Sequence, residues 1–115
     1  MKANLDKEHW LSFGCGAYLI PMVNTSVALV SDEHVSTVAR FAKKDKLRVS
    51  GLLWPEARER WAETVYATRE GYGNGQVILF ATDPNFRGYF HNTERIFLNA
   101  LFLGPGLGTH QPIKW

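Results

Sequence analysis

The alternation of hydrophobic and polar residues is most informative in the last third of the chain. Residues 76–82 contain an unbroken apolar run. Successive side chains of a strand point to opposite sides, which puts Val77 and Leu79 on one face. Ile78 and Phe80 then lie on the other face. Apolar side chains on both faces are typical of a strand covered on both sides, so the pattern predicts a strand inside a sheet.

The next hydrophobic pattern predicts a helix. Residues 93–103 have helical spacing but are apolar almost all round. One stripe is formed by Ile96, Phe97, Ala100 and Leu101, and further apolar surface comes from Leu98, Phe102 and Leu103. A single sheet cannot cover so much of a helix, so we expect a second partner for it.

Both ends of this helix have sequence signals. Asn92 is a residue type that caps helix N-termini, and Glu94 in the first turn suits the positive end of the helix dipole. Gly104-Pro105-Gly106 is typical of a helix C-terminus, because glycine and proline interrupt helical backbone. We therefore expect the helix to end before Gly104.

The first half of the chain predicts mainly strands. Two apolar runs, 17–23 and 26–30, are separated by two polar residues and predict a hairpin. Pro21 places the first run at a sheet edge or a bulge, because proline donates no backbone hydrogen bond. Residues 35–42 fit a short helix or a third strand. Alternation at 47–51 predicts a short, half-exposed strand.

The middle of the chain predicts one short helix and one hairpin. Residues 54–61 have proline near the start and acids ahead of bases, with Glu56 and Arg60 spaced for an ion pair. Residues 63–70 alternate as a strand, and the glycine-rich segment 71–75 returns the chain into the next strand. Because this segment opens no helix, it does not fit a phosphate-binding loop.

Together these elements predict an α/β (or α+β) fold, with a mixed, largely antiparallel sheet and a C-terminal helix packed on it. The chain of 115 residues is long enough for one domain with a core and too short for two. Its hydrophobic content of 45% is typical of globular proteins and excludes the disordered class. We therefore expect residues 1–115 to form a single domain.

The charge distribution argues against a nucleic-acid partner. The formal charge is +2, and the basic cluster from Lys43 to Arg48 is short and interrupted by Asp45. No stretch is long and apolar enough to cross a membrane, and the first six residues are too polar for a signal peptide. We expect a soluble protein of undetermined location that binds neither nucleic acid nor membrane.

The candidate catalytic residues lack the neighbours that catalysis requires. Cys15 is the only cysteine, and it lies between two glycines with no nearby histidine to activate its thiol. Glu56 and Glu59 are two nearby carboxylates, as in a glycosidase acid pair, but Arg58 and Arg60 beside them favour a solvated helix face. We expect no catalytic residue in this chain.

His91 and Glu94 have the spacing of the first half of a carboxypeptidase zinc motif. A tetrahedral site needs a third protein ligand, and His110 lies in the C-terminal tail beyond two glycines. We therefore expect no metal site and no cofactor in this chain.

Asp83 and Arg87 flank the turn after the 76–82 strand, where ligands often bind in α/β folds. The residue types favour an ion pair that fixes the turn. The alternative is a cleft around Asp83, Arg87 and His91 that holds a small anionic ligand. These three are the candidate binding residues.

Four segments of the chain resemble a known protein family. They are HWLSFGCG (9–16), SGLLWPEARERWA (50–62), VILFATDPNFRGYF (77–90) and NTERIFLNALFLGPGLG (92–108). They resemble the C-terminal, class I glutamine amidotransferase-like domain behind the catalytic domain in some bacterial proteins of the zinc carboxypeptidase (carboxypeptidase A-like) family. No segment resembles that family's peptidase domain.

The resemblance implies that the chain is the C-terminal portion of a larger, non-catalytic accessory domain. The parent would remove C-terminal residues from peptides, with the zinc held in its peptidase domain. That domain would be the partner of this chain, and a homo-oligomer is the other partner that we expect. The alternatives are a stand-alone small-ligand-binding or oligomerisation module, and a small enzyme using Cys15 or the His91 and Glu94 pair.

Overall fold

The computed structural model describes residues 1–108 and shows one sheet with two helices in this part of the chain. The strands are β1 (Ala3–Leu5), β2 (Tyr18–Leu19), β3 (Ser36–Phe41), β4 (Val65–Tyr72) and β5 (Gly75–Phe80). The helices are α1 (Pro55–Trp61) and α2 (His91–Leu107), and 3-10 turns lie at Trp10–Ser12 and Phe86–Gly88. The predicted fold class, a mixed α/β fold with an antiparallel sheet and a C-terminal helix, is confirmed.

All strand pairs of the sheet are antiparallel, in the order β2-β1-β3-β4-β5. The first strand, β1, lies in the interior of the sheet, where Ala3 is opposite Leu19 of β2 and Phe41 of β3. β1 is not predicted from the sequence, because three residues are too short for a periodic signal. Its place in the sheet comes from pairing with residues far along the chain.

Aromatic side chains form the centre of the core. Phe41 packs edge-to-face against Trp61 of α1, with ring centroids 5.3 Å apart, and against Tyr66 of β4 at 5.8 Å. Such pairs contribute about 0.5–1.5 kcal/mol beyond the apolar area that they bury. Ile96 of α2 is fully buried in the same core. These contacts fix both helices on the sheet.

The helix predicted at 54–61 is confirmed as α1, with Pro55 at its first position. The expected ion pair between Glu56 and Arg60 is wrong, since no salt bridge joins them in residues 1–108. Glu59 forms an ion pair with Lys44 instead. An exposed ion pair at this spacing stabilises a helix by only about 0.2–0.5 kcal/mol. Such a small contribution does not by itself fix which charged side chains of the helix form ion pairs.

The predicted hairpin of 63–70 and 76–82 is confirmed as β4 and β5. Tyr72 and Gly75 are directly paired, which leaves a two-residue turn of Gly73 and Asn74. Gly73 has a φ of 56°, a left-handed conformation that glycine adopts without steric cost.

The predicted position of β5 inside the sheet is wrong, because β5 is the edge strand. Ile78 is partly buried under α2, next to Gly104, as the pattern requires. On the opposite face Val77 is 41% exposed and Leu79 is 51% exposed. An apolar run shows that both faces avoid water, but it does not show that this chain alone covers both.

The predicted hairpin of 17–23 and 26–30 is also wrong. Only Tyr18–Leu19 forms a strand, and Leu29 makes an isolated bridge to Val65 of β4. The segment 47–51 forms no strand, whereas 35–42 contains strand β3. The first run does lie at a sheet edge, as Pro21 predicts. The secondary structure of these segments depends on pairing with distant strands, because their short apolar runs are compatible with several local structures.

Helix α2 extends further at both ends than the sequence predicts. Its N-cap residue is Phe90, and Asn92 does not cap it but accepts a hydrogen bond from the backbone N–H of Ile20. At the other end the helix continues through Gly104, Pro105 and Gly106 to Leu107. The predicted end before Gly104 is therefore wrong.

Packing and side-chain hydrogen bonds explain the C-terminal extension of α2. Gly104 is buried against Trp10, Gln76 and Ile78, where a larger residue would meet these side chains. Gln76 Nε2 donates to the Gly104 carbonyl at 2.9 Å, and Arg69 donates to the Gly108 carbonyl at 3.2 Å. The Gly104 carbonyl also accepts a hydrogen bond from the Gly108 N–H, so Gln76 adds a second bond to it. Arg69 bonds to the carbonyl of the C-cap residue, where its positive charge suits the negative end of the helix dipole.

Neither helix of residues 1–108 has the length and the hydropathy needed to cross a lipid bilayer.

Candidate functional site

The predicted binding residues of the 83–91 loop make separate local contacts. Asp83 Oδ1 accepts a hydrogen bond from the Asn85 backbone N–H at 2.9 Å. The Arg87 guanidinium lies over the Phe86 ring, 5.0 Å from its centroid, and the Arg87 backbone is left-handed with a φ of 54°. No salt bridge joins Asp83 to Arg87 within the described range, so the predicted ion pair is wrong. The aspartate stabilises the turn through a backbone amide instead.

His91 Nδ1 and Glu94 Oε2 are 2.8 Å apart at the start of α2. The imidazole and the carboxylate therefore contact each other across one helical turn. Glu94 lies in the first turn of α2, as predicted. His110, the third ligand considered above, lies outside the described residues. The ligand cleft around Asp83, Arg87 and His91 stays a prediction.

Cys15 lies in the 9–16 segment, which packs on α2. Burial raises the pKa of its thiol, and the Arg95 guanidinium lowers it by a smaller amount. A raised pKa leaves the sulfur protonated near neutral pH, whereas a nucleophilic cysteine needs the thiolate. The thiol is 3.8 Å from Asn99 Nδ2, a weak contact.

Asn99 of α2 anchors the 9–16 segment. Its side chain is buried, and Nδ2 donates to the carbonyls of Leu11 at 2.9 Å and Phe13 at 2.7 Å. Arg95 Nε also donates to the Phe13 carbonyl, at 3.4 Å. The contact between Asn99 and the 9–16 segment is not predicted from the sequence. The signal available was a single polar amide among apolar residues on the inner side of the helix.

The outer face of α2 is apolar in its second half. Leu98, Leu101 and Phe102 are exposed, and Phe102 has 78% of its surface in contact with solvent. Beside them is a shallow cleft of about 280 Å³, lined by Phe13, Arg95, Leu98, Asn99, Phe102 and Leu103. Phe13 is itself 66% exposed. We call Phe13, Leu98, Leu101 and Phe102 the α2 surface.

Two further clefts lie away from the α2 surface. One of about 490 Å³ is open and lies between the 25–26 segment and α1, where Trp54 is exposed at its edge. The other, of about 310 Å³, has walls that are about equally polar and apolar, with Arg48 and Ser50 among its lining residues. Neither cleft contains a set of convergent polar groups that would identify a ligand.

One further group of potential metal ligands occurs in residues 1–108, in the exposed loop at Asp32, Glu33 and His34. Exposed acidic groups of this kind commonly hold no ion.

Comparison with known proteins gives no match: no protein-family model, no curated protein and no solved structure is detectably similar to the chain.

Proposed function

We propose that this chain is a non-catalytic interaction domain that binds another protein surface through the α2 surface. The observation that supports this function is the spacing of Leu98, Leu101 and Phe102. They lie at i, i+3 and i+4 on the side of α2 that faces away from the sheet. This is the spacing with which one helix packs against another or enters a groove.

The energetic argument concerns how much apolar surface remains in water. Complete burial of one Leu or Phe side chain stabilises a protein or a complex by about 1.5–3 kcal/mol. Leu98, Leu101 and Phe102 lie within little more than one helical turn, with Phe13 across the adjacent cleft. Contiguous apolar surface of this kind is typical of interaction sites.

For the isolated chain, the partner of the α2 surface that we propose is a second copy. The charged residues on the outer side of α2, Glu94 and Arg95, lie at its N-terminal end, before Leu98. When two such helices pack antiparallel and overlap at residues 98–102, the charged residues of each lie beside the last turn of the other. Like charges therefore stay apart, and the two apolar stripes meet.

In a longer protein the same surface would contact the domain to which this chain is joined. The resemblance of residues 9–16, 50–62, 77–90 and 92–108 supports the proposal that this neighbour is the peptidase domain of a zinc carboxypeptidase-like protein. The zinc and the hydrolysis of peptides would belong to that domain. The accessory domain would shape or shield the peptidase domain, or recruit other molecules to it.

Sedimentation velocity of the wild type and of Phe102→Ser tests this function. We expect the wild type to associate as concentration rises, and the substitution to weaken the association through α2 by about tenfold or more. Leu52→Ser is the matched control, because Leu52 is 79% exposed and does not line the cleft beside the α2 surface. Equal association constants for the wild type and Phe102→Ser would refute the proposed function.

A further inference from the structure

The outer edge of β5 is unpaired in the part of the chain that the structure describes, because β5 is the last strand of the sheet. The Ala81 N–H donates to the Tyr66 carbonyl at 2.8 Å, one position beyond the register pair of Ala67 and Phe80, so Tyr66 and Ala81 continue the β4–β5 register. In an antiparallel pair, hydrogen-bonded and non-hydrogen-bonded positions alternate along the strand. The backbone groups of Val77 and Leu79 therefore point towards β4, and those of Gln76, Ile78 and Phe80 point away from it.

The side chains of β5 leave a second group of apolar atoms in contact with water. Val77 and Leu79 point to the sheet face opposite α2 and are about half exposed. They border a small groove whose other lining residues include Leu29, Val30 and Val35. The six residues of β5 carry no charge and no proline. Edge strands of soluble proteins usually contain charged residues or proline, which prevent pairing with another chain. β5 has neither.

The exposed groups of β5 are complementary to a second copy of β5. When two copies run antiparallel with Ile78 opposite Ile78, Gln76 of each lies opposite Phe80 of the other. These three pairs have all their free backbone groups facing one another, which gives about six hydrogen bonds. In the same register Val77 of one copy lies opposite Leu79 of the other, on the face where both are exposed. No charged side chain meets another, because β5 has none.

We propose that β5 pairs with β5 of a second copy in this antiparallel, two-fold symmetric register. The pairing joins two five-stranded sheets into one continuous sheet. It also brings Val77 of each copy into lateral contact with Leu79 of the other, which lowers the exposure of both side chains. This interface is separate from the α2 surface and does not depend on it.

A charge-pair exchange tests the register. Val77→Lys alone puts a cation opposite Leu79 of the partner twice in each dimer, and we expect about tenfold weaker association. Val77→Lys combined with Leu79→Glu puts opposite charges across the interface at both places, so we expect recovery to within about threefold of the wild type. Leu52→Lys is the control for adding a charge at an exposed leucine away from β5.

The experiment is done in the Phe102→Ser background, so that the α2 surface and β5 are separated. We expect Phe102→Ser to retain a dimer, and Phe102→Ser with Val77→Lys to be largely monomeric. A strictly monomeric Phe102→Ser variant would overturn the β5 proposal while supporting the α2 surface as the only interface. Failure of the double charge variant to recover would overturn the register.

Amide hydrogen exchange locates the interface in the chain, whereas sedimentation gives only the mass of the assembly. The N–H groups of Val77 and Leu79 bond to β4 in every copy, so their exchange should be slow at all concentrations. The N–H groups of Ile78 and Phe80 become bonded only in the dimer, so their exchange should slow as concentration rises. Concentration-independent exchange at Ile78, while the protein associates, would exclude pairing through β5.

Discussion

At the scale of single residues, tertiary packing sets the chemistry of Cys15. In the sequence this cysteine has only glycines beside it. In the fold the 9–16 segment lies on α2, where Asn99 and Arg95 donate hydrogen bonds to its carbonyls. Partial burial raises the pKa of the Cys15 thiol, and the Arg95 guanidinium opposes that shift. Desolvation outweighs the cation, because Arg95 is exposed to water that screens its charge.

We expect Cys15 to react slowly with iodoacetamide near neutral pH. The reactive thiolate should appear only as pH rises through the raised pKa, so the midpoint of the rate profile should lie above that of an exposed cysteine. Arg95→Gln should move the midpoint further up, since it removes the group that favours the thiolate. Arg87→Gln is the control. A midpoint below that of a free cysteine would contradict the assignment.

At the scale of elements, α2 shows how neighbouring side chains extend a helix past residues that normally end one. Gly104, Pro105 and Gly106 lie within α2, and the side chains of Arg69 and Gln76 bond to the carbonyls of its last turn. Arg69 Nε also donates to Gln76 Oε1 at 2.9 Å, which orients both side chains. The local sequence predicts that the helix ends before Gly104. Side chains of β4 and β5 stabilise the additional turn, so the helix ends at Leu107 instead.

Arg69→Met should therefore destabilise the protein by about 1–2 kcal/mol, since it removes charge-assisted hydrogen bonds that are partly exposed. Urea unfolding with and without the substitution measures the change. Arg60→Met is the control, because Arg60 is exposed and makes no salt bridge in the described range. Equal stability of Arg69→Met and the wild type would show that the contact does not support α2.

At the scale of the whole molecule, the sheet order makes the N-terminal strand an interior one. β1 pairs with β2 on one side and β3 on the other, and Ala3 is fully buried. The Lys2 N–H and carbonyl bond to Leu47 and Ala42, which ties the irregular segment after β3 to the same strand. A strand with partners on both sides cannot be removed without leaving unpaired backbone groups in both neighbours.

Deletion of residues 1–5 should therefore abolish cooperative unfolding, even though the segment is short and terminal. Circular dichroism during heating measures this, with a dispersed amide NMR spectrum as the sign of a retained fold. A sharp transition at the wild-type temperature after removal of residues 1–5 would contradict the sheet order.

Part of the candidate surface was predictable from the sequence. Leu98 and Phe102 were identified as more apolar surface than one sheet covers, and both are exposed. The Asn99 anchor was not identified, because its partners are backbone carbonyls of residues 11 and 13, which no side-chain pattern reveals. Asp83, Arg87 and His91 are close in sequence, and their side chains contact local groups instead of converging.

The sequence by itself determined the elements whose signal is local and repeated: the hairpin of β4 and β5, helix α1 and the central part of α2. Hydrophobic periodicity reports which side chains avoid water, and turn residues report where the backbone reverses. Only the tertiary structure decided the rest, including the interior position of β1, the edge position of β5 and the C-terminal extension of α2. These depend on hydrogen bonds and packing between residues distant in the chain, which local periodicity does not record.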